Sequence, residues 1–171
     1  MTRWIITGIA ILALTVSCSE KPAQTIELAQ YPISSLEGII TQTGIEFDAQ
    51  VSSDGNGSIR ISCDTSTVIE LYRNSAIDIE DARLIYRASM RSENIEGQAY
   101  LEMYCGFPGK GEFFSKDLQT PLSGNNDWST EETFFFLKKG ENPDYVKLNV
   151  VINGKGTIWI DDIHLLKAPL K

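Results

Sequence analysis

The sequence predicts an all-β domain, a sandwich of antiparallel strands. Three observations support this prediction. Apolar and polar residues alternate along short runs, as in strands that bury one face. Glycine, asparagine, aspartate and proline interrupt these runs about every ten positions. No 3.6-residue apolar period persists long enough to define a helix of about four turns. The 171 residues, 42% of them hydrophobic, suffice for one domain with a real core.

The first 17 residues predict a secretory signal peptide. The stretch MTRWIITGIAILALTVSC has one positive charge, Arg3, near its start, continues with an apolar segment over 4–16 and ends in small residues before Cys18. That apolar segment is shorter than the roughly 20 residues a membrane-spanning helix needs. The ending LTVSC resembles the lipobox of bacterial lipoproteins, in which cleavage before the cysteine is followed by lipid modification of the cysteine.

The lipobox resemblance implies a membrane attachment through Cys18 in a bacterial cell envelope. By similarity to enterobacterial lipoproteins, Ser19 after the cysteine implies sorting to the outer membrane. Residues 18–37 are polar and interrupted by prolines, so we expect them to form the tether of a lipid-anchored domain. The alternative is an ordinary cleaved signal and a soluble periplasmic or secreted protein.

The folded domain is expected over residues 38–171. The runs that we expect to be strands are 45–51, 57–63, 68–73, 82–91, 98–107, 132–137, 145–152 and 156–166. Turn-rich segments separate them, among them ENIEG at 93–97 and NGKG at 153–156. Because NGKG lies between two apolar runs, it predicts a hairpin.

Alternation along three of these runs predicts which side chains face outward. The inward parity is expected for Leu84 and Tyr86, for Leu101 and Met103, and, in YVKLNVVI, for Val146, Leu148, Val150 and Ile152. The opposite parity carries polar and aromatic side chains that suit a sugar, because rings stack on its CH faces and planar polar groups bind its hydroxyls. We expect these candidates on one exposed sheet surface: Arg87, Tyr100, Glu102, Tyr104, Lys147 and Asn149. The alternative is the ordinary polar surface of exposed strands.

The two cysteines after Cys18 both have the inward parity of their runs. Cys63 ends GSIRISC and Cys105 ends AYLEMYC. An exported compartment permits a disulfide between them. The alternative is a pair of buried free thiols, because sequence does not give the Cα separation that a bridge requires.

Composition and motifs argue against several function classes. The net charge is −8, and no basic run is present, so nucleic acid is not an expected partner. His164 is the single histidine, and it lies near the chain end in a strand, where a surface role is expected. The sequence contains no HExxH, paired CxxC or P-loop motif. We therefore interpret the protein as non-catalytic.

The C-terminal half resembles carbohydrate-binding modules of the CenC type. The similarity lies in WST at 128–130, the strand ETFFFL, and YVKLNVVINGKGTIWIDDIHLL, which ends in the Gly-Thr-apolar-Asp-Asp pattern of those modules. It covers roughly residues 38–167. The resemblance implies a galactose-binding-like jelly roll of about eight to nine strands and a glycan or related ligand. The alternative is a structural or interaction module that docks on a partner protein at the envelope.

Adjacent aspartates in the last run, Asp161 and Asp162, must point to opposite faces of a strand. One of them should therefore be buried, which is costly unless it is paired, hydrogen-bonded or bound to a metal. The resemblance implies a possible structural calcium here, with Glu46 and Asp48 as partner ligands. The alternative is an aspartate that accepts hydrogen bonds from loop amides.

Overall fold

The structure is a computed structural model that describes residues 24–75 and 77–170. Its strands are β1 (Ile26–Tyr31), β2 (Ile45–Asp48), β3 (Ser58–Cys63), β4 (Thr67–Ser75), β5 (Ala82–Phe107), β6 (Gly111–Lys116), β7 (Leu122–Leu137) and β8 (Tyr145–Ala168). All pairings between them are antiparallel. The predicted all-β sandwich class is confirmed. Within the described residues, no helix is long and apolar enough to cross a membrane.

Two long strands, β5 and β8, build both layers of the sandwich. They pair with each other from Arg83 opposite Ala168 to Gly106 opposite Tyr145. The first half of β5 and the second half of β8 belong to the first layer, with β1, β2, β3 and β7. The other halves belong to the second layer, with β4 on one side and β6 on the other.

The inward residues of both layers pack into one core. The predicted inward sets are confirmed: Leu84, Tyr86, Leu101, Met103, Leu148 and Val150 are all fully or almost fully buried. Burying one such aliphatic or aromatic side chain contributes roughly 1.5–3 kcal/mol. A shift of one residue would expose the whole inward set, so the apolar alternation determines which face of each strand turns inward.

The predicted turns ENIEG and NGKG are wrong as turns, since both lie inside long strands. Glu96 faces Lys155, and Gly97 faces Gly154, at the corner where β5 and β8 pass from one layer to the other. Backbones approach so closely there that a Cβ on Gly154 would lie 1.9 Å from the carbonyl oxygen of Glu96. The glycines permit a bend within paired strands instead of a hairpin.

The N-terminal boundary of the folded domain also differs from the prediction. Ile26–Tyr31, assigned to the tether, forms β1 and pairs with the end of β8. Ile33, in the same predicted tether, is 1% exposed. The predicted tether therefore extends too far into the domain. Every described strand lies within residues 26–168, so a chain that begins at Ser19 contains the whole described fold. Residues 1–17 and Cys18 lie outside the described residues.

Candidate functional site

The outer surface of the second layer, which we call the polar-aromatic face, carries most of the predicted ligand-binding residues. Its side chains come from β4, β8, β5 and β6 in that order across the sheet. Register places Asn149 beside Glu102, and Glu102 beside Lys116. The next row places Lys147 beside Tyr104, and Tyr104 beside Phe114.

Glu102 is the centre of the first row and is only 3% exposed. The Lys116 ammonium lies 2.9 Å from Glu102 Oε2, and Asn149 Nδ2 donates a hydrogen bond of 3.2 Å to Glu102 Oε1. The hydrogen bond to Glu102 raises the pKa of Lys116 above its usual value. The ammonium of Lys116 and the amide of Asn149 therefore hold this carboxylate in one orientation. Asn149 Oδ1 is buried and has no hydrogen-bond partner among the described residues.

Aromatic rings and cations alternate in the second row. The Tyr104 and Phe114 ring centroids are 5.9 Å apart, and Lys147 Nζ lies 5.8 Å from the Tyr104 centroid. Glu112 forms an ion pair with Lys147 and accepts a hydrogen bond of 2.6 Å from the Tyr145 hydroxyl. These two contacts lower the pKa of Glu112. Phe114 is 60% exposed, so its ring is an open platform beside fixed polar groups.

The predicted parity of this face is right, but its predicted exposure is wrong for three residues. Tyr100, Glu102 and Asn149 are buried, although they point away from the core cluster. For Tyr100 and Glu102 the reason is β6, which was not among the predicted strands, whereas Asn149 lies between Glu70 of β4 and Glu102 of β5. Lys116 of β6 lies over the Tyr100 ring at 5.9 Å and pairs with Glu102. A signal for β6 was present in GEFFSK, with two adjacent phenylalanines after the turn PGKG.

Arg87 does not belong to this face, so its predicted place beside the other five candidates is wrong. It lies in the first half of β5, opposite Glu132 of β7 and His164 of β8. Its guanidinium forms an ion pair with Glu132. Because β5 passes from one layer to the other, the outward sides of its two halves belong to different surfaces.

The inward aspartate of β8 is Asp161, which is completely buried. Its Oδ2 accepts hydrogen bonds of 2.8 Å from both the backbone N–H and the hydroxyl of Ser53, and one of 3.2 Å from the Ser52 hydroxyl. Its Oδ1 accepts a hydrogen bond of 2.8 Å from the Asp162 backbone N–H. The carboxylate of Asp161 thus links the last strand to the loop after β2, because Ser52 and Ser53 of that loop donate hydrogen bonds to it.

The four predicted calcium ligands have separate partners. Asp48 accepts hydrogen bonds from the Gln50 and Val51 amides and from the Trp159 indole N–H at 2.9 Å. Glu46 pairs with Arg60, and Asp162 with His164. Within residues 24–75 and 77–170, no three His, Cys, Asp or Glu residues group as a metal site would require. Asp161, surrounded by N–H and O–H donors, does not fit a cation, and calcium binding stays a prediction.

The cysteines and the single histidine occupy separate environments. Cys63 and Cys105 are both free thiols; Cys105 is buried, as the second alternative expected, whereas Cys63 is partly exposed. Burial raises the pKa of the Cys105 thiol to about 12, so this thiol is unreactive. His164 lies between two carboxylates, with Glu27 at 2.7 Å from Nδ1 and Asp162 at 2.8 Å from Nε2.

A groove of about 600 Å³ lies between β6 and β7. Near it, two buried carboxyl groups, those of Asp117 and Glu131, share the hydroxyl of Thr120 at 3.0 and 3.4 Å. Burial raises the pKa of Glu131, and the adjacent Asp117 raises it further. Sequence reasoning missed this pair because the β6–β7 loop and the first half of β7 separate the two residues along the chain.

Comparison with known proteins gives the fold but no family. No protein-family model matches the sequence, and no curated protein matches it. Among solved structures, a family 16 carbohydrate-binding module matches with a TM-score of 0.57 and 9% identity, over 76% of this chain and 91% of its own. The CBM22-1 xylan-binding domain of Paenibacillus barcinonensis Xyn10C matches with a TM-score of 0.58 and 12% identity, over 88% and 99%.

An enzyme shares this architecture as well. A Stig cyclase, Fisc, from Fischerella sp. TAU, solved with (3Z)-3-(1-methyl-2-pyrrolidinylidene)-3H-indole, matches with a TM-score of 0.55 and 9% identity, over 91% of this chain and 93% of its own. At such identities the similarity establishes the β-sandwich fold and leaves the ligand to be argued from the site. The narrower CenC-type resemblance stays a prediction. The chain thus has the fold of carbohydrate-binding β-sandwiches.

Proposed function

We propose that this domain is a non-catalytic module that binds a neutral glycan along the polar-aromatic face. The observation that carries the proposal is the exposed Phe114 ring beside Tyr104, in a sheet surface whose polar groups are already fixed by ion pairs. A rigid ring and preoriented polar groups lose little conformational entropy when a sugar binds. The named ligands of the neighbouring xylan-binding modules support the same class of ligand.

The charges of the face favour a neutral polysaccharide over an anionic one. Its three cations are each paired with a carboxylate, namely Lys116 with Glu102, Lys147 with Glu112 and Arg73 with Glu70. An anionic sugar would meet three carboxylates and no unpaired cation of this set. A neutral sugar needs hydroxyl partners instead, and Asn149 Oδ1 is an acceptor that the described protein leaves unused.

The experiment is a glycan array with the 19–171 chain, followed by titration with xylan and with polygalacturonate. We expect binding to a neutral glycan and none to polygalacturonate. Phe114→Ala should weaken binding at least about tenfold, because it removes the stacking platform. Phe136→Ala is the matched control, since Phe136 is 58% exposed on the other layer. Absence of glycan binding, or equal effects of the two variants, would contradict the proposal.

A protein-binding role is the second candidate, favoured by exposed apolar side chains along the β6–β7 side. Phe113 is 49%, Leu118 56% and Phe136 58% exposed. If the array is negative, a pull-down from an envelope fraction with wild type and Phe136→Asp tests this role. A partner retained by wild type and lost in the variant would establish it, and equal retention would reject it.

We also propose that the module is held at the bacterial envelope by lipid on Cys18, at the outer membrane. The support is the LTVSC sequence, with Ser19 following. Intact-mass measurement should show a mature chain that begins at an acylated Cys18, and Cys18→Ala should remain uncleaved or be released. A mature N-terminus at another residue, without the mass of an acyl group, would support the alternative of a soluble periplasmic or secreted protein.

A further inference from the structure

We infer that β6 is a self-complementary edge through which two copies of the chain pair into one continuous sheet. β6 is the last strand of the second layer, and within the described residues it pairs only with β5. A strand at a sheet edge presents unpaired backbone groups that can pair with another chain. The occupant that best fits this edge is a second copy of the same strand.

The other edge strands carry features that prevent such pairing. β1, β4 and β7 each contain a register shift, and β2 has only four residues. Bulges and short length are devices that protect an edge. β6 pairs with β5 in unbroken register over six residues. In the described part of the chain, β6 is therefore the one edge strand of this length without a bulge.

The sequence of β6, GEFFSK, is complementary to itself in one antiparallel register. If Phe114 faces Phe114 of a second copy, Glu112 faces Lys116 of that copy, and Lys116 faces its Glu112. Residues directly opposite in an antiparallel pair point to the same side, so all three pairs lie on the outer face. One aromatic pair and two pairs of opposite charge thus lie across the two-fold axis, as an isologous contact requires.

The ion pairs within each copy are compatible with the ion pairs between the two copies, because no like charges are brought together. Lys147 pairs with Glu112, and Lys116 with Glu102. In the paired copies the charges alternate: Lys147, Glu112, then Lys116 and Glu102 of the second copy. Phe113 has inward parity and faces Ser115 of the second copy, which covers part of a ring that is 49% exposed in the single chain. Tyr104 and Phe114 of both copies form one aromatic row.

The contact is small, so the dimer should be weak. One strand pair and its flanking side chains bury less than the roughly 1,200 Å² of a standard stable interface. We expect a concentration-dependent equilibrium between monomer and dimer. Tethering at a membrane raises the local concentration of such a module and shifts this equilibrium toward the dimer.

The first test is sedimentation of the 19–171 chain, without glycan, at concentrations up to about 1 mM. The mass should rise from monomer toward dimer, and Phe114→Asp should weaken association at least about tenfold. Val68→Asp is the matched control, because Val68 is 55% exposed on β4, the opposite edge strand of the same layer. A mass that stays monomeric throughout, or an equal effect of the two variants, overturns the inference.

The second test fixes the register by cross-linking, in a background with Cys63→Ser. Phe114→Cys places two thiols at directly opposite positions, with the Cα separation of about 4.5–5.5 Å that a disulfide tolerates. Glu112→Cys places them four residues out of register, about 13 Å apart along the strands. Oxidation should give a covalent dimer only with Phe114→Cys. Equal cross-linking of both variants, or of neither, overturns the inference. Both proposals use the Phe114 ring, but these two tests contain no glycan, so their results leave the outcome of the glycan array open.

Discussion

The tripeptide Gly-Lys-Gly occurs twice in this chain, with opposite structural roles. Gly109 and Gly111 flank Lys110 in the tight turn between β5 and β6, where the Lys110 amide donates to the Phe107 carbonyl at 3.1 Å. At both glycines an added Cβ would have no described atom within 4 Å. The second copy, 154–156, lies inside β8, where an added Cβ would collide with the backbone of β5. The surroundings, and not the local sequence, decide what the tripeptide does.

The same contrast separates other pairs of identical residues. Asp161 is enclosed and Asp162 is half-exposed, although they are adjacent. Glu131 is buried beside Asp117, whereas the next residue, Glu132, is paired with Arg87 at the surface. Substituting both residues of such a pair tests whether the effect on the free energy of unfolding depends on how deeply each side chain is buried.

The largest effect is expected for Gly154→Ala. The added Cβ would lie 1.9 Å from the Glu96 carbonyl oxygen, and Gly154 has φ of 140°, so both the corner and the backbone would have to change. We expect a loss of more than about 4 kcal/mol or failure to fold. Gly109→Ala, at φ of 66° in open space, should cost only about 1 kcal/mol. Denaturant melts monitored by circular dichroism give both values, and similar losses would contradict the comparison.

Asp161→Asn should have the next largest effect. The amide replaces one oxygen by an N–H group that faces the donors of Ser52, Ser53 or Asp162. A buried hydrogen-bond set that is left unsatisfied costs about 3 kcal/mol. Asp162→Asn is the control, because asparagine tolerates its φ of 49° and only the partly buried contact with His164 is altered. Equal losses for the two variants in denaturant melts would count against a special role for Asp161.

The same variants bear on calcium. Melts of metal-stripped protein with calcium and with EDTA should coincide if Asp161 is held by hydrogen bonds alone. A calcium-dependent rise in the melting temperature that Asp161→Asn abolishes would instead support the predicted ion.

Glu131→Gln should stabilise the protein at neutral pH and alter its pH dependence. The folded-state pKa of Glu131 is raised above its unfolded value, so the folded state holds the proton more tightly. Stability should therefore fall as pH rises from near 4 through the raised pKa. The glutamine side chain cannot ionise and should remove this fall, raising the melting temperature at pH 7 by about 2–4 °C. Glu132→Gln should leave the fall unchanged, and loss of the fall in both variants would contradict the assignment.

The smallest effects are expected for the two lysines of the Gly-Lys-Gly segments. Lys155 pairs with Glu96 at 3.1 Å, but their side chains are 51% and 73% exposed, so water screens the pair. Lys155→Ala should change the free energy of unfolding by less than about 0.5 kcal/mol. Lys110→Ala should be equally mild. If Lys155→Ala alone greatly lowered the free energy of unfolding in the same melts, the exposed Lys155–Glu96 pair would contribute to stability, and the prediction would be wrong.

Local pattern predicted the faces of this fold better than the partners of its strands. The inward positions of β5 and β8 were evident because burial alternates along them, as Leu101 and Met103 show. β1 was missed because its partner lies near the other end of the chain, with Gln30 opposite His164. β6 was missed because Phe113 and Phe114 are both exposed on an edge strand, which interrupts alternation. The predicted site therefore had the right surface but lacked its edge strand β6.

The two long strands have a consequence for how the domain unfolds. β5 and β8 pair from one layer into the other, so neither layer has a pair of central strands of its own. Opening one layer exposes strands that continue into the hydrogen-bonded ladder of the second. Partial unfolding of a single layer should therefore be rare, and amide hydrogen exchange at Leu84 and at Leu101 should report the same opening free energy. Because of this connection we expect the sandwich to melt as one cooperative unit.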